Sequence, residues 1–247
     1  MKPRIWDRYL SEADKIHVGA SSDRRVGFGS KPALLLVDLY RAVFGDKPEP
    51  LMEAIKTWPS SCGMAGWKAL PHIQTLLAAS RAAGIPIIHI TMLANAGMPG
   101  WSEAAHRGSG GRSSTPLDEA AEDRKRRGPE IVDEVAPIPG EVVLRKTAPS
   151  AFWGTPLAGQ LTYLGVDTLI VAGESTSGCV RASVVEAVSH RYRVQVVEEC
   201  CFDRHDAPHA INLFDLHQKY ADVIPLADAL SRLRAHLAGV APEMAVA

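Results

Sequence analysis

Residues 167–198 constrain the fold more than any other stretch, because they combine a strand, a tight turn, a helix and a second strand. An apolar run over 168–172 leads into a small polar turn that ends at Cys179. Valines then recur at every fourth position, which indicates a helix packed on a sheet. A second strand is predicted at 194–198. This βαβ unit predicts parallel strands, with Cys179 at the start of the crossover helix.

Cys179 is a candidate nucleophile because of this position. Unpaired backbone N–H groups and the positive end of the dipole favour a thiolate at the start of a helix. A lone cysteine is more often a small buried residue. Here it follows a Gly-flanked polar turn at the carboxyl end of a strand, where open α/β sheets bind ligands, and this favours the functional interpretation.

Two further apolar runs also end in a charged residue. Asp38 follows Pro32–Val37, and Lys146 ends the run 141–146. If the strands are neighbours, Asp38, Lys146 and Cys179 converge in one crevice. Asp38 could then take the thiol proton and Lys146 could stabilise the thiolate, while backbone N–H groups near Ser175 and Cys179 could hold an oxyanion. Taken singly, each charge could instead form a structural ion pair or face water, and a redox thiol would use similar groups.

The rest of the chain alternates in the same way. Further elements are predicted as a helix at 67–83, a strand at 85–91, a helix at 152–164, a short helix after Cys201, a strand at 222–224 and a C-terminal helix from 226. The economical architecture is a single doubly wound α/β domain with a mainly parallel sheet of five to six strands and helices on both faces.

The domain organisation follows from the same pattern. We expect an N-terminal arm over 1–30, which packs on its own sheet or on a neighbour, one domain over 31–238 and a tail over 239–247. The glycine-rich segment 94–115 lacks apolar periodicity, which is typical of a lid over a site or of a mobile surface insertion.

Composition excludes several classes of function. With 247 residues and a formal charge of −1, the chain gives no electrostatic argument for binding nucleic acid or an anionic membrane. It has no apolar run of about 20 residues and its first residues lack a signal-peptide core, so we expect a cytoplasmic protein. The cysteines Cys62, Cys179, Cys200 and Cys201 have no metal-ligand spacing, which predicts reduced thiols and no zinc. No cofactor is expected.

Three segments carry a family resemblance. They are ALLLVD ending at Asp38, VVLRKTAPSAFWGTPL with Lys146 and Phe152, and DTLIVAGESTSGCVRASVVEAV with Cys179. Over about residues 30–230 the sequence resembles the isochorismatase-like cysteine hydrolases. STSGCVRA is most similar to the branch of N-carbamoylsarcosine amidase and maleamate amidohydrolase.

The resemblance implies a mechanism and a set of site residues. It implies a catalytic triad of Asp38, Lys146 and Cys179, a non-proline cis peptide at Glu174-Ser175, and an oxyanion hole formed by the N–H groups of Ser175 and Cys179. The family reaction cleaves a small amide through a Cys thioester and releases ammonia. A homo-oligomer, a tetramer, is also implied.

Four residues are candidates for binding the substrate. Arg181 could hold a substrate carboxylate in a bidentate fork, or it could pair with an acid of the protein. Thr176 and Ser177 could orient the substrate or cap the helix. Phe152 lies in the second family segment and is included as a fourth candidate.

Departures from the pattern narrow the expected reaction. The Asp-x-His metal pair that nicotinamidases carry is missing after the second strand, which has only His89, so no metal is expected and His89 is assigned to the core or cleft. We expect a metal-independent hydrolase of a small amide or ureido acid, with N-carbamoylsarcosine as first substrate and maleamate as second. A nicotinamidase-like amidase and an oligomeric thiol oxidation sensor are the alternatives.

Overall fold

The structure is a computed structural model that describes residues 4–20, 25–93 and 119–240. Its centre is a six-stranded sheet in the order β3-β2-β1-β4-β5-β6, with every neighbouring pair parallel. The strands are β1 Pro32–Val37, β2 Ile87–Met92, β3 Val142–Lys146, β4 Thr168–Glu174, β5 Arg193–Phe202 and β6 Asp222–Ile224. The expected doubly wound parallel sheet is confirmed.

Helices connect the strands and cover the sheet. They are α1 Glu12–Ala20, α2 Arg41–Phe44, α3 Leu51–Thr57, α4 Met64–Ala82, α5 Glu119–Arg127, α6 Leu157–Leu164, α7 Arg181–Ser189, α8 Asp206–Lys219 and α9 Leu226–Leu237. One turn of π-helix, Thr176–Val180, joins β4 to α7.

The core has two layers, one on each face of the sheet. Alternate residues of β1 point to opposite faces, so Leu35 packs in the layer that contains α6, α7 and α8, and Leu34 in the layer that contains α4 and α9. Because both faces are covered, all six residues of β1 are buried. This explains why the strand is a continuous apolar run.

Helix α6 begins at Leu157, five residues later than predicted, and two elements after it also differ from the sequence prediction. The apolar pattern of β5 breaks at Glu198 and Glu199, yet the strand continues through Cys200 and Cys201 to Phe202. It can do so because Glu198 pairs with Arg4 at 3.0 Å and Glu199 accepts the N–H of Leu226 at 2.7 Å. The following helix α8 has 14 residues, where a short helix was predicted.

The described part of the N-terminal arm packs on its own chain. Trp6 is buried against Phe214 and His217 of α8, and the N–H groups of Val26 and Gly27 bind Asp222. The predicted lid or insertion at 94–115 lies outside the described residues. Within the described ranges, no helix combines the length and apolar content needed to cross a membrane.

Candidate active site

The site lies where the strand order reverses, between β1 and β4. A crevice opens at this point in doubly wound sheets, at the carboxyl ends of the strands. Asp38 follows β1 directly, in the left-handed region at φ 55°, and its N–H donates to the carbonyl of Ile90 at 3.0 Å. Cys179 lies in the π-helical turn after β4. The topology therefore places both predicted residues in the crevice.

Lys146 reaches the same crevice from farther away. Convergence was expected if the three strands are neighbours, but β3 is the edge strand and β2 separates it from β1. The long side chain spans this gap. Lys146 Nζ lies 2.8 Å from Asp38 Oδ2 and donates to Cys179 Sγ at 3.2 Å. All three side chains are buried, so the structure brings the three predicted residues into contact.

Burial shapes the charges of this cluster. It raises the pKa of Asp38, and the nearby Lys146 offsets this only in part. Burial alone would lower the pKa of Lys146, but Asp38 and Cys179 outweigh it and raise that pKa. The pKa of the Cys179 thiol is raised by burial and by Asp38. The resting site therefore holds a neutral thiol and an ammonium, beside a carboxylate that is more basic than an ordinary aspartate.

The Asp38 carboxylate is incompletely paired. Its close charged partner is the ammonium of Lys146, 2.8 Å from Oδ2. In the described part of the chain neither carboxylate oxygen has a well-aligned hydrogen-bond partner. Proton uptake therefore disturbs fewer contacts here than it would for a carboxylate that accepts several aligned hydrogen bonds.

The turn that carries Cys179 is held from β5 and α8. The Glu174–Ser175 peptide is cis, as expected. Ser177 donates to Asp203 Oδ2 through its N–H at 2.8 Å and its hydroxyl at 2.7 Å. Thr176 Oγ1 donates to the carbonyl of Phe202 at 3.1 Å and contacts His209 Nδ1 at 2.7 Å.

These contacts tie Thr176 and Ser177 to the protein, and a contact with the substrate stays a prediction for both. Asp203 and His209 are participants that the sequence analysis missed. Asp203 directly follows β5, just as Asp38 directly follows β1. This position at the carboxyl end of a strand is the signal that could have found it.

Arg181 and Phe152 have protein partners in this structure. Arg181 Nη1 lies 2.5 Å from Asp215 Oδ2, which agrees with the alternative of a protein acid. Phe152 is 4% exposed and stacks on His190, with 5.2 Å between the ring centroids. A substrate contact by either residue stays a prediction.

His89 is a core residue, as expected. It is 1% exposed and its Nε2 lies 2.9 Å from Glu141 Oε2. Within residues 4–20, 25–93 and 119–240, no group of three or more His, Cys, Asp or Glu side chains is arranged to hold a metal ion.

Glu174 is a further acidic group beside the cluster. It ends β4, its side chain is half-buried, and Cys62 Sγ donates to its Oε1 at 3.6 Å. Burial and the nearby Asp38 and Asp203 raise the pKa of Glu174 to about 8. From the sequence, Glu174 was expected only as part of the cis peptide, with no role of its own.

Fold and site together define a doubly wound α/β protein with a thiol, a carboxylate and an ammonium in contact at the switch point of the sheet. Residues 32–228 match the isochorismatase domain. The chain therefore belongs to the isochorismatase family.

Named relatives and a solved structure are similar over most of the chain. The maleamate amidohydrolase of Pseudomonas putida is 38% identical over 219 residues, which cover 87% of this chain and 92% of the relative. The N-carbamoylsarcosine amidase of an Arthrobacter species is 33% identical over 205 residues, covering 81% and 70%. The crystal structure of N-carbamoylsarcosine amidase from Thermoplasma acidophilum has a TM-score of 0.57 and 25% identity, and the match covers 78% of this chain and 98% of that one.

Proposed function

We propose that this protein is a cysteine amidohydrolase that cleaves the C–N bond of a small acyclic amide or ureido acid and releases ammonia. The observation that carries the proposal is the buried contact of Lys146 Nζ with both Asp38 and Cys179, at 2.8 Å and 3.2 Å. It supplies a nucleophile, a base and a stabilising cation in one crevice. The names of the two curated relatives support the same reaction class.

The first half of the reaction forms an acyl-enzyme. Asp38 takes the thiol proton of Cys179, and the adjacent Lys146 ammonium stabilises the thiolate. The sulfur attacks the amide carbon, and the N–H groups of Ser175 and Cys179 are assigned to the resulting oxyanion. The C–N bond then breaks and the leaving nitrogen takes the proton from Asp38. Ammonia leaves, and the acyl group remains on Cys179 as a thioester.

The second half regenerates the thiol. Water adds to the thioester carbon while Asp38 takes one of its protons. The C–S bond breaks, the acid product leaves, and the proton on Asp38 returns to Cys179. One carboxyl group thus serves as base and acid in turn, a role that suits a buried aspartate whose pKa is raised.

Maleamate and N-carbamoylsarcosine are the proposed substrates. Both are small acids with a terminal carboxamide or ureido group, and a relative named for each aligns with more than 80% of this chain. The higher identity and coverage of the first relative support maleamate. We propose no metal requirement, because the thiol, carboxylate and ammonium supply the nucleophile, the proton transfer and the charge stabilisation. A homotetramer and a cytoplasmic location remain proposals from the family resemblance and the composition.

The test is ammonia release from maleamate, N-carbamoylsarcosine, other N-carbamoyl amino acids, nicotinamide and biuret. We expect release from one of the two acids, its loss in Cys179→Ala, and its retention in Cys200→Ala, a matched control at a cysteine buried in the opposite core layer. Mass spectrometry of acid-quenched enzyme should detect an acyl adduct on Cys179, and a chelator should leave the rate unchanged. Full activity of Cys179→Ala would contradict the proposal.

The oxidation-sensor alternative is weaker on physical grounds. Redox-sensing thiols are accessible and have lowered pKa values. Cys179 is 8% exposed, and burial raises its pKa. Peroxide should therefore oxidise Cys179 more slowly than it oxidises free cysteine, as measured by thiol titration. Faster oxidation combined with no amide hydrolysis would favour the sensor.

A further inference from the structure

Glu174 is an acid in the crevice that the proposed reaction does not use. It is the last residue of β4, its side chain remains half-buried, and its thiol contact is with Cys62. Among the described residues, no ion pair within 4 Å includes its carboxyl group. A carboxyl group that is partly withdrawn from water and has no cation beside it favours its neutral form.

The groups around Glu174 explain why it has no cation of its own. The charged and titratable groups that face it or the adjoining Cys62 are Asp38 and Tyr40 after β1, Cys62 before α4, Lys146 at the end of β3, Cys179 after β4, and Asp203 and Arg204 after β5. Lys146 already binds Asp38 and Cys179. Arg204 donates to the carbonyls of Ser61 and Pro59.

The groups around Glu174 favour its protonated form. Asp203 accepts two hydrogen bonds from Ser177, and Asp38 lies beside the ammonium of Lys146. A third negative charge beside them is disfavoured, so Glu174 keeps its proton. A protonated carboxyl group has an O–H donor, and in the crevice the complementary ligand is a hydrogen-bond acceptor.

We infer that protonated Glu174 is a specificity-determining residue that donates a hydrogen bond to the carboxylate of the amide-acid substrate. The inference rests on the proposed function, because it requires a substrate with both an amide and a carboxylate. When Glu174 ionises, the donor is lost and two like charges face each other. Substrate binding should then weaken above neutral pH.

Binding of maleamate to Cys179→Ala tests this without turnover. Since the pKa of Glu174 is about 8, calorimetry should give a Kd about tenfold higher at about pH 9 than at about pH 7, because only the protonated fraction binds. Glu174→Gln in the same background keeps a donor, so its Kd should change by less than about twofold. An equal pH effect in both proteins, or no binding of maleamate at either pH, would overturn the inference.

Cys62→Ala provides a second variant. The Cys62 thiol donates to Glu174 and thereby lowers its pKa. Without this donor the rise in Kd should move to higher pH, a displacement that a purely structural role of Glu174 does not predict. A rise at the same pH as in the parent protein would contradict the role of Glu174.

The experiments distinguish failure of the proposed reaction from failure of the proposed role of Glu174. Ammonia release by the wild type combined with a Kd that does not depend on Glu174 would remove the inference and keep the reaction. The Glu174-dependent pH effect without any ammonia release would remove the reaction and keep Glu174 as a carboxylate-binding residue.

Discussion

The carboxylates of Glu141 and Asp38 both lie beside a cation, but they differ in how many hydrogen bonds they accept. Glu141 accepts from Arg81 at 2.7 and 3.0 Å, from the N–H of Ile138 at 3.0 Å, and contacts His89 at 2.9 Å. Asp38 has Lys146 at 2.8 Å and lacks well-aligned hydrogen bonds in the described part of the chain. One carboxylate is saturated and the other is not.

The pKa values express this difference. Burial alone would raise the pKa of Glu141, but the hydrogen bonds from Arg81, Ile138 and His89 lower it to about 2. Burial raises the pKa of Asp38, because Lys146 offsets it only in part. A saturated carboxylate stays ionised and joins α4, β2 and the segment before β3. An unsaturated one can take up a proton, which a general base must do.

The largest expected effect is on the activity of Asp38→Asn. This variant removes the proposed base, so kcat should fall by about a thousandfold, within the range for general acid–base catalysis. Its free energy of unfolding should fall as well, by about 3 kcal/mol, because the variant leaves the buried Lys146 ammonium without its carboxylate. Steady-state kinetics and urea unfolding measure the two quantities. A fall in kcat of less than tenfold would contradict the proposed role of Asp38 as the general base.

Glu141→Gln should lower stability and leave activity nearly unchanged. It leaves Arg81 and His89 without their shared carboxylate and should lower the free energy of unfolding by about 2 kcal/mol, less than for a fully buried pair because Arg81 is partly exposed. The value of kcat/KM should stay within about threefold of the wild type. Urea unfolding and the ammonia assay measure both. A large loss of activity with unchanged stability would mean that the assigned roles are exchanged.

Acid should remove the difference between wild type and Glu141→Gln. The pKa of Glu141 is lowered in the fold from an ordinary 4.5 to about 2. Its stabilising contribution is therefore present above about pH 4.5 and lost as the pH falls toward 2. The gap in free energy of unfolding should shrink toward zero over this range, as followed by urea titrations at successive pH values. A constant gap would show that Glu141 acts by packing and not by its charge.

The smallest effect is expected for Arg181→Met. Arg181 pairs with Asp215, and the two side chains are 31% and 21% exposed, so stability should fall by less than about 1 kcal/mol. The KM for an acid substrate should change by less than about threefold. Asp215→Asn is the matched control from the other side of the pair. A tenfold rise in KM in Arg181→Met alone would return Arg181 to the substrate site.

Much of the site could be predicted because its signals are local. Asp38, Lys146 and Cys179 each follow or end an apolar strand, and the carboxyl ends of parallel strands share one edge of the sheet. The boundaries were less predictable. Glu198 and Glu199 interrupt the apolar pattern of β5, and only their partners Arg4 and Leu226 allow the strand to continue.

Residues that act through distant partners could not be assigned from the sequence. Glu174 is one acid among many until the fold brings Asp38, Asp203 and Cys62 around it. Likewise, the sequence left the partner of Arg181 open, and the packing of α7 against α8 supplies Asp215. The N–H and hydroxyl of Ser177 find Asp203 only because β4 and β5 are adjacent.

The sequence by itself determined the elements, the parallel sheet and the three residues at its edge, since apolar periodicity and strand ends are properties of neighbouring residues. The tertiary structure decided the strand order, the span of Lys146 across β2 and the degree to which each buried carboxylate is paired. Pairing depends on side chains that are distant in the chain. It also decides whether a buried acid stabilises the fold or remains free to accept a proton.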